Sequence, residues 1–250
     1  MRAAIILLFA CLAQAQVYEV ASIKPSQGGG PPGPRVSPGG RLNTTNTTLK
    51  SLIEFAYDVR SYEVSGGPLW LDSAGWDIVA TPDQAINPSA KNVDSFRLMV
   101  RALLSERFQL AVHRATKELN VYALVVAKDG LKLRESGEPE KPTDGRLHIS
   151  NGLLVGQKIA LKFVAPMLAE YLGRPVTDRT GLTGNYDFEL RWTPDPTENP
   201  LPTDAGQTPP DPGGPTLFTA LQEQLGLKLE SRKGPVEILI VDRAEKASEN

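Results

Sequence analysis

The stretch Thr48 to Asp83, TLKSLIEFAYDVRSYEVSGGPLWLDSAGWDIVATPD, can be laid without a gap on Ala160 to Asp195, ALKFVAPMLAEYLGRPVTDRTGLTGNYDFELRWTPD. Leu-Lys near the start, a Val in the middle and Thr-Pro-Asp at the end coincide. With one small slip, Trp76-Asp77-Ile78 matches Tyr186-Asp187-Phe188. Further along, Phe108, Leu110, Val112, Val121 and Ala123 face Leu225, Leu227, Leu229, Ile238 and Ile240 at a constant offset. A period this long is the signature of domain duplication, because solenoid units run about 20 to 50 residues.

Each copy mixes helical and strand periodicity. Thr48 can cap a helix whose apolar residues Leu49, Leu52, Ile53, Ala56 and Val59 share a face. Strands are predicted at Tyr62 to Ser65 and at Trp76 to Ala80. Asp94 can cap a second helix with a stripe of Phe96, Met99, Val100, Leu103 and Leu104. Phe108, Leu110 and Val112 alternate as one strand, and Asn120 to Ala127 reads as another, buried on both faces. In the second copy Pro166 fits a first helical turn, so that helix is predicted from near Val164 to Leu172, with Gly173 as its left-handed stop. Tyr186, Phe188, Leu190 and Trp192 alternate with charged residues as a half-buried strand, Thr216 caps a short helix, and Leu227 to Leu229 and Val236 to Val241 form a hairpin-like pair. The predicted class is α+β, two similar halves of order β-β-α-β-β-α-β-β with mostly antiparallel sheet.

Outward from the copies, residues 1–15 read as a signal peptide: Met1-Arg2, an uncharged run from Ala3 to Leu12, and Ala13-Gln14-Ala15 as a cleavage site. Cys11, the one cysteine, offers the alternative of a lipid anchor; cleavage after Ala15 leaves none for disulfides, thiol catalysis or metal. The first repeat then spans 16–134, a linker 135–145, and the second repeat 146–250. Lys24 to Gly40 is a Gly/Pro run read as a surface loop, and residues 193–215, with eight prolines, as a long mobile excursion. No segment after the signal is long and apolar enough to span a bilayer as a helix. The expected location is secreted or periplasmic.

Charge and motifs exclude more chemistry than they propose. Lys plus Arg 27 against Asp plus Glu 29 leaves no excess positive field for a phosphate backbone, so nucleic acid is not an expected partner. The two histidines, His113 and His148, sit in no catalytic signature and make no zinc set, and no cofactor is expected. Arg179-Thr180-Gly181 imitates the strand motif of penicillin-binding enzymes, yet no serine has lysine three residues on. Asp178 to Gly181 therefore reads as a polar turn. The candidate ligand-binding residues are Trp70, Trp76, Arg174, Asp178 and Arg179. Trp70, after the tight Gly66-Gly67-Pro68 turn, reads as a core lid or an aromatic platform, and Arg174 as an ion-pair partner of Asp178 or an anion contact.

Val20-Ala21-Ser22-Ile23-Lys24-Pro25, Gly66-Gly67-Pro68-x-Trp70, Leu103-Leu104-x-Glu106-Arg107-Phe108, Lys117-Glu118 with Val121-Tyr122, and Gly173-Arg174-Pro175-Val176-x-Asp178-x-Thr180-Gly181-Leu182-x-Gly184-x-Tyr186-Asp187-Phe188 resemble an uncharacterised, acidobacteria-expanded family of secreted proteins. The resemblance covers nearly the whole chain after the signal and implies export and a shared fold, without an activity. Similar domains fused to sensor-type membrane peptidases imply a sensing or binding role. The expected function is an exported, non-catalytic binding or sensing module with an unknown envelope ligand or protein partner. The alternatives are a structural or adhesive surface protein and an envelope-acting hydrolase, the last requiring His113 or His148 beside a carboxylate inside a concave pocket.

Overall fold

The computed structural model describes residues 18–28, 33–86, 89, 91–137, 145–195 and 213–248. The signal segment, Cys11, residues 138–144 of the expected linker and residues 196–212 of the proline-rich stretch lie outside the described residues. The chain divides into two compact units, one running up to His113 and resuming at Leu239, the other from Arg114 to Ile238.

In the first unit β1 (Tyr18–Pro25), β2 (Gly33–Val36), β3 (Leu42–Thr48), α1 (Leu49–Tyr57), β4 (Val64–Gly66), β5 (Gly75–Pro82) and α2 (Val93–Arg107) precede the start of β6 (Ala111–Val126). Strands β1-β5-β3-β2 form an antiparallel sheet in that order. Alternation puts Trp76, Ile78 and Ala80 of β5 on the buried face, where they meet Leu49, Leu52, Ile53 and Ala56 of α1 and Val100, Leu103 and Leu104 of α2 in one core. Thr48 caps α1 by accepting the Ser51 N–H, and Asp58 ends it in the left-handed conformation. The chain's last residues return to this unit. The Glu245 N–H donates to the Phe108 carbonyl at 2.7 Å, and Ala247 is buried in the same core.

The second unit contains β7 (Arg134–Ser136), β8 (Arg146–Ser150), β9 (Leu153–Ala160), α3 (Leu161–Leu172), β10 (Val176–Asp178), β11 (Asn185–Arg191), α4 (Leu217–Ala220), a π-turn continuing it through Leu225, and most of β12 (Leu227–Arg243). Strands β7-β11-β9-β8 form an antiparallel sheet. Tyr186, Phe188 and Leu190 of β11 and Leu161, Val164, Leu168 and Tyr171 of α3 share its core with Leu124 of β6 and Leu225. Trp192 donates its indole N–H to the Tyr171 hydroxyl at 2.9 Å, which satisfies both buried rings. The short β10 pairs in parallel with β6, Thr177 facing Ala123, and the end of β12 pairs in parallel with β4 in the first unit, Leu239 facing Val64. The class is mixed α+β with mostly antiparallel sheet.

Several local expectations are corrected. In chain order three strands precede the first helix of each half, β1 to β3 before α1 and β7 to β9 before α3, so the order is β-β-β-α-β-β-α-β written twice. The extra strand in the first unit is β2, in the middle of the Gly/Pro run read as a loop; it needs only four residues, and β2 sits at the sheet edge, where Pro34 is tolerated. In the second unit, β7 takes Glu135 and Ser136 from the stretch read as linker. The strands expected at Phe108 to Val112 and Asn120 to Ala127 give way to one 16-residue strand, Ala111–Val126, which leaves Phe108 and Leu110 before it, and the expected hairpin in Leu227 to Val241 is one 17-residue strand. Pro235 does not break β12 because β4 pairs only with Leu239 to Val241, leaving a side of the strand at Pro235 with no ladder to donate to. Helix α3 begins at Leu161, ahead of the expected Val164, and carries Pro166 in its interior; Lys162 and Pro166 are both exposed, so the Lys162 carbonyl that loses its helical donor faces water.

Candidate functional site

Among the described residues, a groove of about 720 Å3 lies in the second unit over β10, β6 and β12. Strand alternation builds it. Tyr122 and Leu124 of β6 turn to the core, so Val121, Ala123 and Val125 turn to the other face and form an apolar floor. The parallel register sets Thr177 of β10 opposite Ala123, and the Arg179 N–H donates to the Leu124 carbonyl at 2.9 Å, which carries the Arg179 side chain to the same face. Gly234 of β12 completes the floor: a Cβ there would sit 3.4 Å from a Val121 methyl. The groove lies within the volume range of small-molecule sites.

Its charge is lopsided. Arg179, Arg232 and Lys233 line it against one carboxylate, Glu237, and that carboxylate is engaged by Arg114. Arg232 donates to Glu230 at 2.8 Å, which holds the Glu230 carboxyl below its ordinary range. Arg179 and Lys233 are both exposed, and neither has an ion-pair partner among the described residues. The rim of the groove thus carries two cations that no carboxylate among the described residues neutralises, one of them a planar guanidinium suited to an oxyanion.

Of the five residues singled out from the sequence, Arg179 alone lines this groove. Arg174 lies over the Tyr122 ring, 4.9 Å from its centroid, rather than against Asp178. Asp178 instead closes its own turn by accepting the Thr180 N–H at 2.9 Å and the Thr180 hydroxyl at 2.7 Å, as the polar-turn reading requires. Trp70 and Trp76 belong to the first unit. Trp70 packs on the core edge-on to Trp76, which in turn meets Phe108 at 5.1 Å; the buried Trp76 indole N–H has no partner among the described residues. Arg232, Lys233 and Gly234 were missed because Ser231 to Pro235 read as a turn between two short strands.

The histidines are accounted for. His113 Nδ1 is 2.8 Å from Asp242 Oδ2 in the first unit, with both side chains about half exposed (53% and 47%), and His148 is exposed on β8. No pocket among those described includes either. Among the described residues no group of three or more His, Cys, Asp or Glu could hold a metal, and no helix is long and apolar enough to cross a membrane.

Residues 50–244 match the family described as a protein of unknown function, DUF3738. The chain belongs to this family. The match covers both units' helices and the three strands that build the groove. Neither the curated proteins nor the solved structures contain a match to this DUF3738 chain.

Proposed function

We propose that this DUF3738 protein is an exported, non-catalytic binding or sensing module of the cell envelope, formed by tandem duplication of one α+β unit, with its ligand in the groove of the second unit. The groove carries the reading: an apolar floor with a surplus of cations at its rim suits recognition, and no nucleophile and base are paired in it. Export is supported by the signal-like segment 1–15.

Duplication is supported by features of each unit taken alone. The sheet orders β1-β5-β3-β2 and β7-β11-β9-β8 correspond strand for strand, and so do the parallel pairs of β4 with β12 and β10 with β6. Both sheets carry a bulge at a non-glycine residue with positive φ, Asn46 at 45° and Lys158 at 47°, and the amide of each is accepted by the aspartate of the matched Trp-Asp-Ile and Tyr-Asp-Phe triplets.

A ligand-dependent melting screen of the chain from Gln16 onward tests the reading. Cell-wall fragments or envelope metabolites that raise the melting temperature, with the rise lost on Arg179→Gln, support a binding module. An adhesive role is favoured by Leu69, 97% exposed at the tip of the Gly66-Gly67-Pro68 turn; it gives no soluble-ligand shift and instead surface attachment that Leu69→Ser abolishes.

A further inference from the structure

We propose that the groove binds a small amphiphilic oxyanion, a single carboxylate or phosphate group on a compact apolar body; this rests on the binding-module reading. The walls and the floor make different demands. Arg179 on β10 and Arg232 with Lys233 on β12 flank β6 from its two sides, about two strand spacings or roughly 10 Å apart. Long side chains reach inward across that span, so one oxyanion can be held from both walls, with the Thr177 hydroxyl available as a further donor. A free inorganic ion would use only these groups and leave wet the part of the floor that is open to water, Val125 and Val236, since Val121 and Ala123 are already buried. An apolar body on the ligand covers that floor and removes the area from water.

The charge excludes the opposite ligand. A cation entering the groove meets Arg179 and Lys233, neither compensated among the described residues, while the one lining carboxylate already has Arg114. A neutral amphiphile gains the floor but leaves the charges of Arg179 and Lys233 unused. The depth of the floor depends on Gly234, where φ is not positive and the nearest neighbour is an ordinary contact at 3.4 Å from an added Cβ, so a side chain there is accepted by the backbone and occupies ligand space.

The test uses the chain from Gln16 onward in titration calorimetry and melting, with decanoate, decyl phosphate, decanol, decyltrimethylammonium and inorganic phosphate as probes. The expected result is saturable binding of decanoate or decyl phosphate, weakened at least tenfold by Arg179→Gln and again by Lys233→Gln, since each removes a charge-assisted contact. Gly234→Leu abolishes that binding while the ligand-free melting temperature stays near that of the unaltered chain. If Gly234→Leu does not fold, the Arg179→Gln and Lys233→Gln titrations decide. The preferred anion then separates a carboxylate source from a phosphate source. Equal binding of decanol, binding of inorganic phosphate as tight as decyl phosphate, or anion binding untouched by Arg179→Gln overturns the proposal. No amphiphile binding alongside an Arg179-dependent shift with cell-wall fragments overturns the ligand class and leaves the binding module standing; no response to any probe or fragment removes both.

Discussion

The Asp77 carboxylate holds the backbone of Asn46: Oδ1 accepts the Asn46 N–H at 2.8 Å across the β3–β5 ladder, at the point where the register slips between Thr44 and Thr47. The slip leaves an amide with no ladder partner, and the carboxylate supplies one. Asp187 does the same for Lys158 at 2.7 Å in the other sheet. Asp77→Ala is expected to cost about 1–2 kcal/mol, read from the denaturant midpoint, and Asp77→Asn less, because an amide oxygen still accepts. At Lys158 a β-carbon opposes the left-handed backbone, so Lys158→Gly should gain up to about 1 kcal/mol despite the entropy glycine adds to the unfolded chain. A loss at Lys158→Gly would show that the lysine side chain stabilises the bulge.

Tyr171 and Trp192 make a buried polar contact inside an aromatic pair, with ring centroids 5.4 Å apart. Tyr171→Phe keeps the ring packing and strands the Trp192 indole N–H. The expected cost is about 1–3 kcal/mol, a drop in melting temperature of roughly 2–4 °C per kcal/mol. Trp192→Phe in the Tyr171→Phe background should cost less than the two single losses added, since neither orphan then remains.

Glu54 links stability of the first unit to pH. Burial pushes its carboxyl above the ordinary range, against the opposing hydrogen bond from Ser61 and the charge of Lys50. A raised carboxyl pKa means the fold prefers the protonated form, so this group's contribution is fully present at low pH and is lost as pH rises through its folded pKa. Glu54→Gln removes that loss. Its melting temperature should exceed that of the unaltered chain at about pH 7, with the difference shrinking as pH falls toward about 4. A difference independent of pH would assign the effect to packing rather than to charge.

The amphipathic helices and the alternating strand β11 were legible because each carries its own period: Leu49, Leu52, Ile53 and Ala56 are buried in α1, and Tyr186, Phe188 and Leu190 in β11. What escaped was set by neighbours. Gly33 to Val36 has no strand propensity and becomes β2 only because β3 offers it an edge. Ser231 to Pro235 look like a turn and stay extended within a 17-residue strand. That second miss hid most of the candidate site, since Arg232, Lys233 and Gly234 face Arg179 only when β12 is continuous. Arg179 itself was found as part of a turn motif, and the alternation that aims it into the groove follows from pairing with β6, which no local pattern states.

Two glycines in the same backbone conformation should respond differently to a single methyl. Gly173, which ends α3 at φ 59°, has nothing within 4 Å of where a Cβ would be, whereas at Gly226, φ 65°, a Cβ would lie 2.1 Å from the Gly130 carbonyl oxygen. Gly173→Ala therefore costs the left-handed strain alone, about 1–2 kcal/mol. Gly226→Ala adds a backbone clash that cannot be relieved by a rotamer, because the Lys132 N–H donates to the Leu225 carbonyl and the Ala127 N–H to the Gly226 carbonyl, holding both strands of the approach in place. The expected cost at Gly226 exceeds that at Gly173 by about 2 kcal/mol or more, measured as the difference in denaturant midpoint between the two variants. Equal costs would mean that the 127–132 turn moves away freely, and that the left-handed end of the π-turn, rather than its close approach to Gly130, is what requires glycine there.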